Sequence, residues 1–240
     1  MLSTMRLPYS LPPHVHACRR GSNVILLDLR RDRYVGVNDA QYASCAERVA
    51  GWPSHEATDI CAPENECEQF LQKLQSEGML VRGVAVGSNR APAQTRLPEH
   101  ALIEGYDQAR STVRWTHVVH TLRAALIAKA LLRWRSLEQL AIRFRKRRAL
   151  TQHVPFDLDL ARGQVAAFNR LQPIIFTAAD ACLYHSLATA EFLAAQNLFP
   201  DWVFGVRTDP FGAHCWLQRD DVVVNDTPEN VGVYTPILVL

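Results

Sequence analysis

TAADACLYHSLATAEFLAA, residues 177–195, is the stretch on which the reading of this chain turns. Leu183, Leu187, Ala190 and Leu193/Ala194 recur at helical spacing and Asp180 stands where an N-cap belongs, so the pattern predicts a helix with Cys182 in its first turn. A thiol placed there meets unpaired backbone N–H groups and the positive end of the helix dipole, and both favour the thiolate. Downstream, FGAHCWLQRD (211–220) reads as a strand and DVVVNDTP (221–228) as a second apolar run that ends at Asp226. A hairpin between them would set His214 beside Asp226.

Those three side chains are the parts of a nucleophilic thiol site. A thiol at its free pKa of about 8.5 is mostly protonated at neutral pH. His214 as general base forms the thiolate–imidazolium pair that attacks an acyl carbon, and Asp226 holds the imidazole in the right tautomer. The oxyanion that follows needs donors, and the backbone N–H of Cys182 is the one the sequence supplies. Each residue also has a plainer reading. Free Cys is among the most buried residue types, a strand His is usually just hydrogen-bonded, and Asp226 could simply open the turn at Thr227-Pro228. Their joint order, helix-start Cys, strand His, strand-end Asp, favours the chemistry. By strand alternation Cys215 points to the face opposite His214 and belongs to the core. His185, three residues beyond Cys182, reads as helix packing or a substrate contact. Cys182, His185, His214 and Cys215 lack a zinc-site spacing, so no metal is expected.

Length and composition bound the rest. The 240 residues suit one large domain or two small ones, and 48% hydrophobic residues suffice for real cores. A formal net charge of +2 carries no nucleic-acid signature. The exception is RWRSLEQLAIRFRKRR (133–148), with seven Arg/Lys against Glu138. It reads as the solvated face of a helix burying Leu137, Leu140, Ala141 and Phe144, or alternatively as a docking patch for an acidic or phosphate-bearing partner. Six cysteines (18, 45, 61, 67, 182, 215) form no CxxC pair, and MLSTMRLPYSLPP has no apolar signal core, which points to a reduced, cytoplasmic protein. No apolar run reaches the roughly 18 residues of a membrane span; Val118–Leu132 is broken by His120, Arg123 and Lys129 and reads as an amphipathic helix.

Upstream, HVHACRR (14–20), NVILLDLR (23–30) and DRYVGV (32–37) predict a three-stranded meander. Asn38 or Asp39 then caps a helix to about Ala50, Gly51-Trp52-Pro53 ends it, and ENECEQFLQKLQSE (64–77) makes a second helix with Cys67, Phe70, Leu71 and Leu74 on one face. Gly78 stops that helix and MLVRG begins a short wing. The order describes a small winged-helix-like module over residues 1–85. Its second helix carries Glu64, Glu66, Glu68 and Glu77 against Lys73, the wrong charge for lying on phosphates, so peptide capture at a strand edge is favoured over DNA. The expected contacts are Arg33, Tyr34, Val35 and Val37 on the third strand, with Phe70 and Leu74 in a groove against the helix. Tyr34 reads equally well as a core aromatic. PSHEATDICAP (53–63) is too poor in apolar residues for a winged-fold helix and predicts an irregular element. Residues 84–98 read as a linker. Beyond it come helices from Trp115 to about Arg133, from an Ser136 cap to about Leu150, and over 157–170 with Phe168 and Leu171 inward.

With these residues assembled, the chain resembles the lasso-peptide maturation B proteins in their fused form. The most specific part is residues 171–236: Cys182-Leu183 followed by Ser186-Leu187-Ala188, GVRTDPFGAHCWLQ (205–218), VVNDTPENV (223–231) and Tyr234-Thr235-Pro236. The resemblance implies an α+β protein: a leader-recognition domain over 1–85, similar to the small winged-helix chaperone of pyrroloquinoline quinone biosynthesis, a linker over 86–98, and a transglutaminase-like, papain-related cysteine peptidase domain over 99–240. It places nucleophile, base and orienting acid on Cys182, His214 and Asp226. Cys215 stands where such proteins often have alanine, which could make the site oxidation-sensitive. The implied activity is hydrolysis of the leader–core bond of a ribosomal precursor peptide, before a partner cyclase similar to asparagine synthetase closes the ring. No cofactor is implied for this chain. It has no GxxxxGK[ST] loop, so an ATP effect would come through the cyclase or an unseen site. The alternatives are acyl transfer to an amine by the same triad and a non-enzymatic peptide-binding scaffold.

Overall fold

Alternating apolar residues near the N-terminus build an antiparallel meander. The structure is a computed structural model, and it describes residues 9–21, 23–38, 48–53, 64–83, 95–106, 112–175 and 182–240. Strands β2 (Val15–Arg20), β3 (Asn23–Asp28) and β4 (Arg33–Val37) pair in register, from Val15 opposite Asp28 to Arg20 opposite Asn23, and from Val24 opposite Val37 to Asp28 opposite Arg33. The β3–β4 turn closes on Asp28, whose buried carboxylate accepts the N–H groups of Arg30 (2.9 Å) and Arg31 (3.3 Å). Asp32 completes the turn at φ 48°, a left-handed conformation that Asp tolerates.

Helix α1 (Glu64–Ser76) lays Cys67, Leu71 and Leu74 on a core shared with Val15, Ala17, Val24, Leu26 and Val37 of the meander, and Phe70 packs at its margin. Gly78, at φ 72°, ends the helix as expected. A second small sheet corrects the sequence reading. Val49–Ala50 is a strand (β5), not the end of a helix; it runs parallel to β1 (Tyr9–Ser10), which also pairs antiparallel with β6 (Val81–Arg82). Tyr9 and Val49 both enter the core. The rest of the helix expected after Asn38, the irregular element over 54–63, the linker over 84–94 and the Asp180 cap lie outside the described residues.

Two compact units divide the chain. One comprises Met1–Gln94 with Val206–Gly212 and Thr235–Leu238; the other comprises Thr95–Gly205, Ala213–Tyr234 and Val239–Leu240. In the second, α2 (Trp115–Trp134) turns Thr121, Ala124, Ala125 and Ala128 inward. These small side chains let it pack closely along α5 (Cys182–Ala194) and also against α4 (Leu158–Ile175). Its opposite side exposes Trp115, Val118, Val119, Leu122 and Leu126. Helix α3 (Leu137–Thr151) starts at the expected capping box, in which the Ser136 hydroxyl accepts from the Gln139 N–H and the Gln139 side chain accepts from the Ser136 N–H. Leu137, Leu140, Ala141 and Phe144 are buried, and part of the basic stretch is ion-paired inside the unit: Arg147 and Arg143 to Glu191 (2.5 and 3.3 Å) and Arg148 to Asp201 (3.3 Å). Helix α4 runs beyond the expected end at 170, through Pro173 to Ile175. Phe168 and Leu171 are buried in it as predicted.

A five-stranded sheet, ordered β11-β8-β9-β10-β7, stands beside these helices. Its strands are β7 (His100–Ala101), β8 (Asp201–Thr208), β9 (Phe211–Arg219), β10 (Val222–Val223) and β11 (Thr235–Val239), and α6 (Pro228–Val231) is a single turn capped by Thr227. Strand β10 pairs antiparallel with β9 and parallel with β7. Trp202, Val203, Phe204, Val206, Cys215, Trp216 and Leu217 of its strands are buried. Helix α5 is buried around most of its girth, at Ser186 to Ala190, Phe192 and Leu193, which is more than the single stripe its spacing suggests. Among the described residues no helix is long and apolar enough to cross a membrane.

Candidate active site

Cys182 is the first residue of α5, where the early N–H groups of a helix have no intrahelical partner. It is a free, half-buried thiol. His214 lies in β9, and the Asp220-Asp221 turn folds the chain back through β10 so that Asp226 arrives opposite it. The regular strand is shorter than the apolar run implied. Beyond it Val224 still donates its N–H to the Leu217 carbonyl (2.8 Å), and the Asn225 side chain accepts from the Leu217 N–H (2.7 Å). This carries Asp226 into place: His214 Nε2 and Asp226 Oδ2 are 2.6 Å apart, both side chains 17% exposed.

The carboxylate is itself fixed. Asp226 accepts hydrogen bonds from the Asn230 side chain at both oxygens (2.9 and 3.0 Å) and from the Thr227 N–H (2.8 Å), so the single turn of α6 serves as its mount. Burial pushes the Asp226 carboxyl up, yet the bonds from His214, Asn230 and Thr227 outweigh it and hold the group below the usual carboxylate range. The imidazole is wedged between Tyr234 (ring centroids 5.2 Å apart) and Trp216 (6.0 Å, nearly parallel). With Nε2 on Asp226, Nδ1 is the ring nitrogen left for the thiol, which His214 also hydrogen-bonds. The Asp226 bond, then the Cys182 bond, raise His214 to about 9 against the effect of burial.

The thiol moves the other way. The Cys215 side chain, hydrogen-bonded to the Cys182 sulfur, lowers it most; burial opposes; and His214 and the Cys215 main-chain N–H add to the lowering, leaving Cys182 at about 4. Cys182 and His214 therefore form a thiolate–imidazolium pair at neutral pH. Cys215 is a buried core residue as expected, but it does not stand apart from the site. Its carbonyl accepts from the Ser186 hydroxyl (3.0 Å), and the Asn225 amide donates to the same hydroxyl (3.0 Å). Ser186, Asn225, Asn230 and Tyr234 entered the sequence reading only as parts of the resemblance motifs and were given no role there, although Asn225 is a polar break at the end of an apolar run next to Asp226. His185 packs near the Phe168 ring, and burial lowers its pKa, so it sits as a neutral imidazole by the thiolate.

The expected peptide contacts divide. Strand β4 pairs with β3 alone among the described residues, leaving its other edge open. Arg33 is tied to Glu77 (2.8 Å), Tyr34 meets the Phe211 ring edge-on at 5.8 Å within the first unit, and Val35 and Phe70 are partly buried. Val37 and Leu74 are corrected: at 1% and 2% exposure their side chains belong to the core cluster of the first unit.

The structure thus brings together a helix-start thiol, a strand imidazole and a carboxylate that follows the last strand residue of its run. Residues 124–239 of this mixed α+β chain match the model of the transglutaminase-like superfamily. The chain is also 40% identical over 47 residues, 20% of its length, to the Microcin J25-processing protein McjB of Escherichia coli, and that match spans 23% of the relative. No solved structure matches the chain.

Proposed function

We propose that the chain is a cysteine peptidase that binds the leader of a lasso precursor peptide and cuts it from the core, ahead of ring closure by an asparagine synthetase-like cyclase. The observation that carries this reading is the 2.6 Å His214–Asp226 bond beside a half-buried thiol at a helix start. The Cys182 thiolate adds to the scissile carbonyl, and the main-chain N–H of Cys182 donates to the resulting oxyanion. His214 gives its proton to the departing amine, releasing the core peptide and leaving a thioester. The now neutral imidazole takes a proton from water, whose oxygen displaces Cys182 and frees the leader acid. The relative named for processing microcin J25 and the transglutaminase-like match support a peptide substrate. Leader capture is assigned to the open edge of β4, where an extended peptide adds main-chain hydrogen bonds, with Val35, Tyr34 and Phe70 offering the accessible side chains.

Incubation of the purified chain with a precursor encoded nearby, with and without cyclase and ATP, tests this by mass spectrometry. Cleavage with a free carboxylate on the leader is expected, and Cys182→Ala should abolish it while leader binding persists. An amide adduct in place of the acid would assign the same site to acyl transfer, and an unchanged output from Cys182→Ala would leave only a scaffold.

A further inference from the structure

We propose that Cys182 and Cys215 form a reversible dithiol–disulfide pair, a modification site through which peroxides inactivate the thiol and reductants restore it. The geometry begins on α5. Ser186 lies one turn beyond Cys182, and residues four apart share a helix face. Cys215 meets that face twice, through its carbonyl on the Ser186 hydroxyl at 3.0 Å and through its sulfur at 3.9 Å from the same oxygen. The Cys215 thiol also hydrogen-bonds the Cys182 sulfur, and both cysteines are free. Asn225 holds Ser186 from the other side, so the second thiol is positioned by a network and not merely adjacent in sequence.

The two sulfurs differ in the way such a pair requires. Cys182 is half-buried and ionised, the form that attacks a peroxide. Cys215 is buried, and burial first of all keeps it protonated, so it is silent toward oxidants until its neighbour reacts. In the first step the Cys182 sulfur attacks the O–O bond of hydrogen peroxide. One oxygen stays as the sulfenic acid, and the other leaves as hydroxide and takes the imidazolium proton of His214 to become water. In the second, the Cys215 sulfur attacks the sulfenic sulfur, the S–O bond breaks, and the departing hydroxide carries away the Cys215 proton as water. The enzyme thiols have lost two electrons in total, and a small dithiol returns them. The proposal rests on Cys182 being a thiolate, not on which acyl group it attacks, so it can fail or stand apart from the peptidase reading.

Tryptic cleavage after Arg170, Arg207 and Arg219 isolates the two cysteines on separate peptides, residues 171–207 and 208–219. The full chain is treated with hydrogen peroxide, free thiols are blocked by alkylation, and the digest is read by mass spectrometry. The expected product joins those two peptides and is lighter by the two thiol hydrogens, and dithiothreitol returns Cys182 alkylation to the untreated level. In Cys215→Ser, confirmed folded by circular dichroism, Cys182 should proceed to sulfinic and sulfonic acids that dithiothreitol cannot reverse. In Cys182→Ser, Cys215 should stay reduced. Wild-type protein that reaches sulfonic acid at Cys182 as fast as Cys215→Ser, with Cys215 still a free thiol, would overturn the assignment, as would a linkage of Cys182 to any other cysteine.

Discussion

At the scale of single residues, the site is governed by two opposite displacements. His214, raised from 6.5 to about 9, contributes stability that is whole below about 6.5 and disappears as pH rises through about 9. Cys182, lowered from 9.0 to about 4, contributes stability that is whole above about 9 and is lost as pH falls through about 4. The ion pair is therefore populated from about pH 4 to about 9, and the rate of any acyl transfer should be flat between those limits. Asp226→Asn removes the main cause of the His214 shift. Its alkaline limb should move to lower pH, with turnover down about 10²–10⁴-fold at neutral pH, read from a pH–rate profile. A limb that stays in place would mean that Asp226 does not tune the imidazole. That Cys182 opens a helix and His214 lies in a strand was legible because both are local patterns. The partnership of Cys215 with Cys182 was not. Alternation predicts which sheet face a side chain takes, but not how near a helix end abuts the strand, and here the Cys215 main chain itself touches the Cys182 sulfur.

Among the elements, the β8–β9 hairpin is the one on which the imidazole depends most. A methyl group at Gly205 would stand 2.8 Å from the Trp216 ring and 2.8 Å from the Tyr234 side chain, the two aromatics that flank His214. Gly205→Ala should cost about 1–3 kcal/mol by overpacking, measured by denaturant unfolding, and should also lower turnover by tilting the His214 ring. A variant as stable and active as wild type would show that these rings have slack. Elements with strong local signals were the readable ones: the Ser136 capping box, the meander with its tight turns, and the Gly78 stop all follow from neighbouring residues. Strand β5 was not readable, since two residues carry no period and its partner Tyr9 lies far upstream; the Gly51-Trp52-Pro53 run after it made it look like a helix end. Helix α4 outran its expected end at 170 and carries Pro173 within it.

At the scale of the whole molecule, β4 lies in one compact unit and the thiol site in the other. If the edge of β4 captures an extended leader, hydrogen–deuterium exchange on the full chain should slow at the amides of Arg33–Val37 when leader peptide is added, and the Cys182→Ala variant should show the same protection. Protection confined to other segments would remove β4 from the docking proposal. The meander was predicted from the sequence, but the core roles of Val37 on its strand and Leu74 on its helix were not, because apolar spacing marks a buried face without saying whether the protein or a ligand covers it.

Among the described residues β4 has no strand on its outer side, and such an edge accepts any backbone of matching extension, including that of a sister molecule. Five residues long, β4 has little to discourage this apart from the charge of Arg33 at its start, and that charge is engaged by Glu77. Concentrated stocks kept without peptide would therefore be prone to edge-to-edge clumping, and a short guest strand seated there would keep the solution clear.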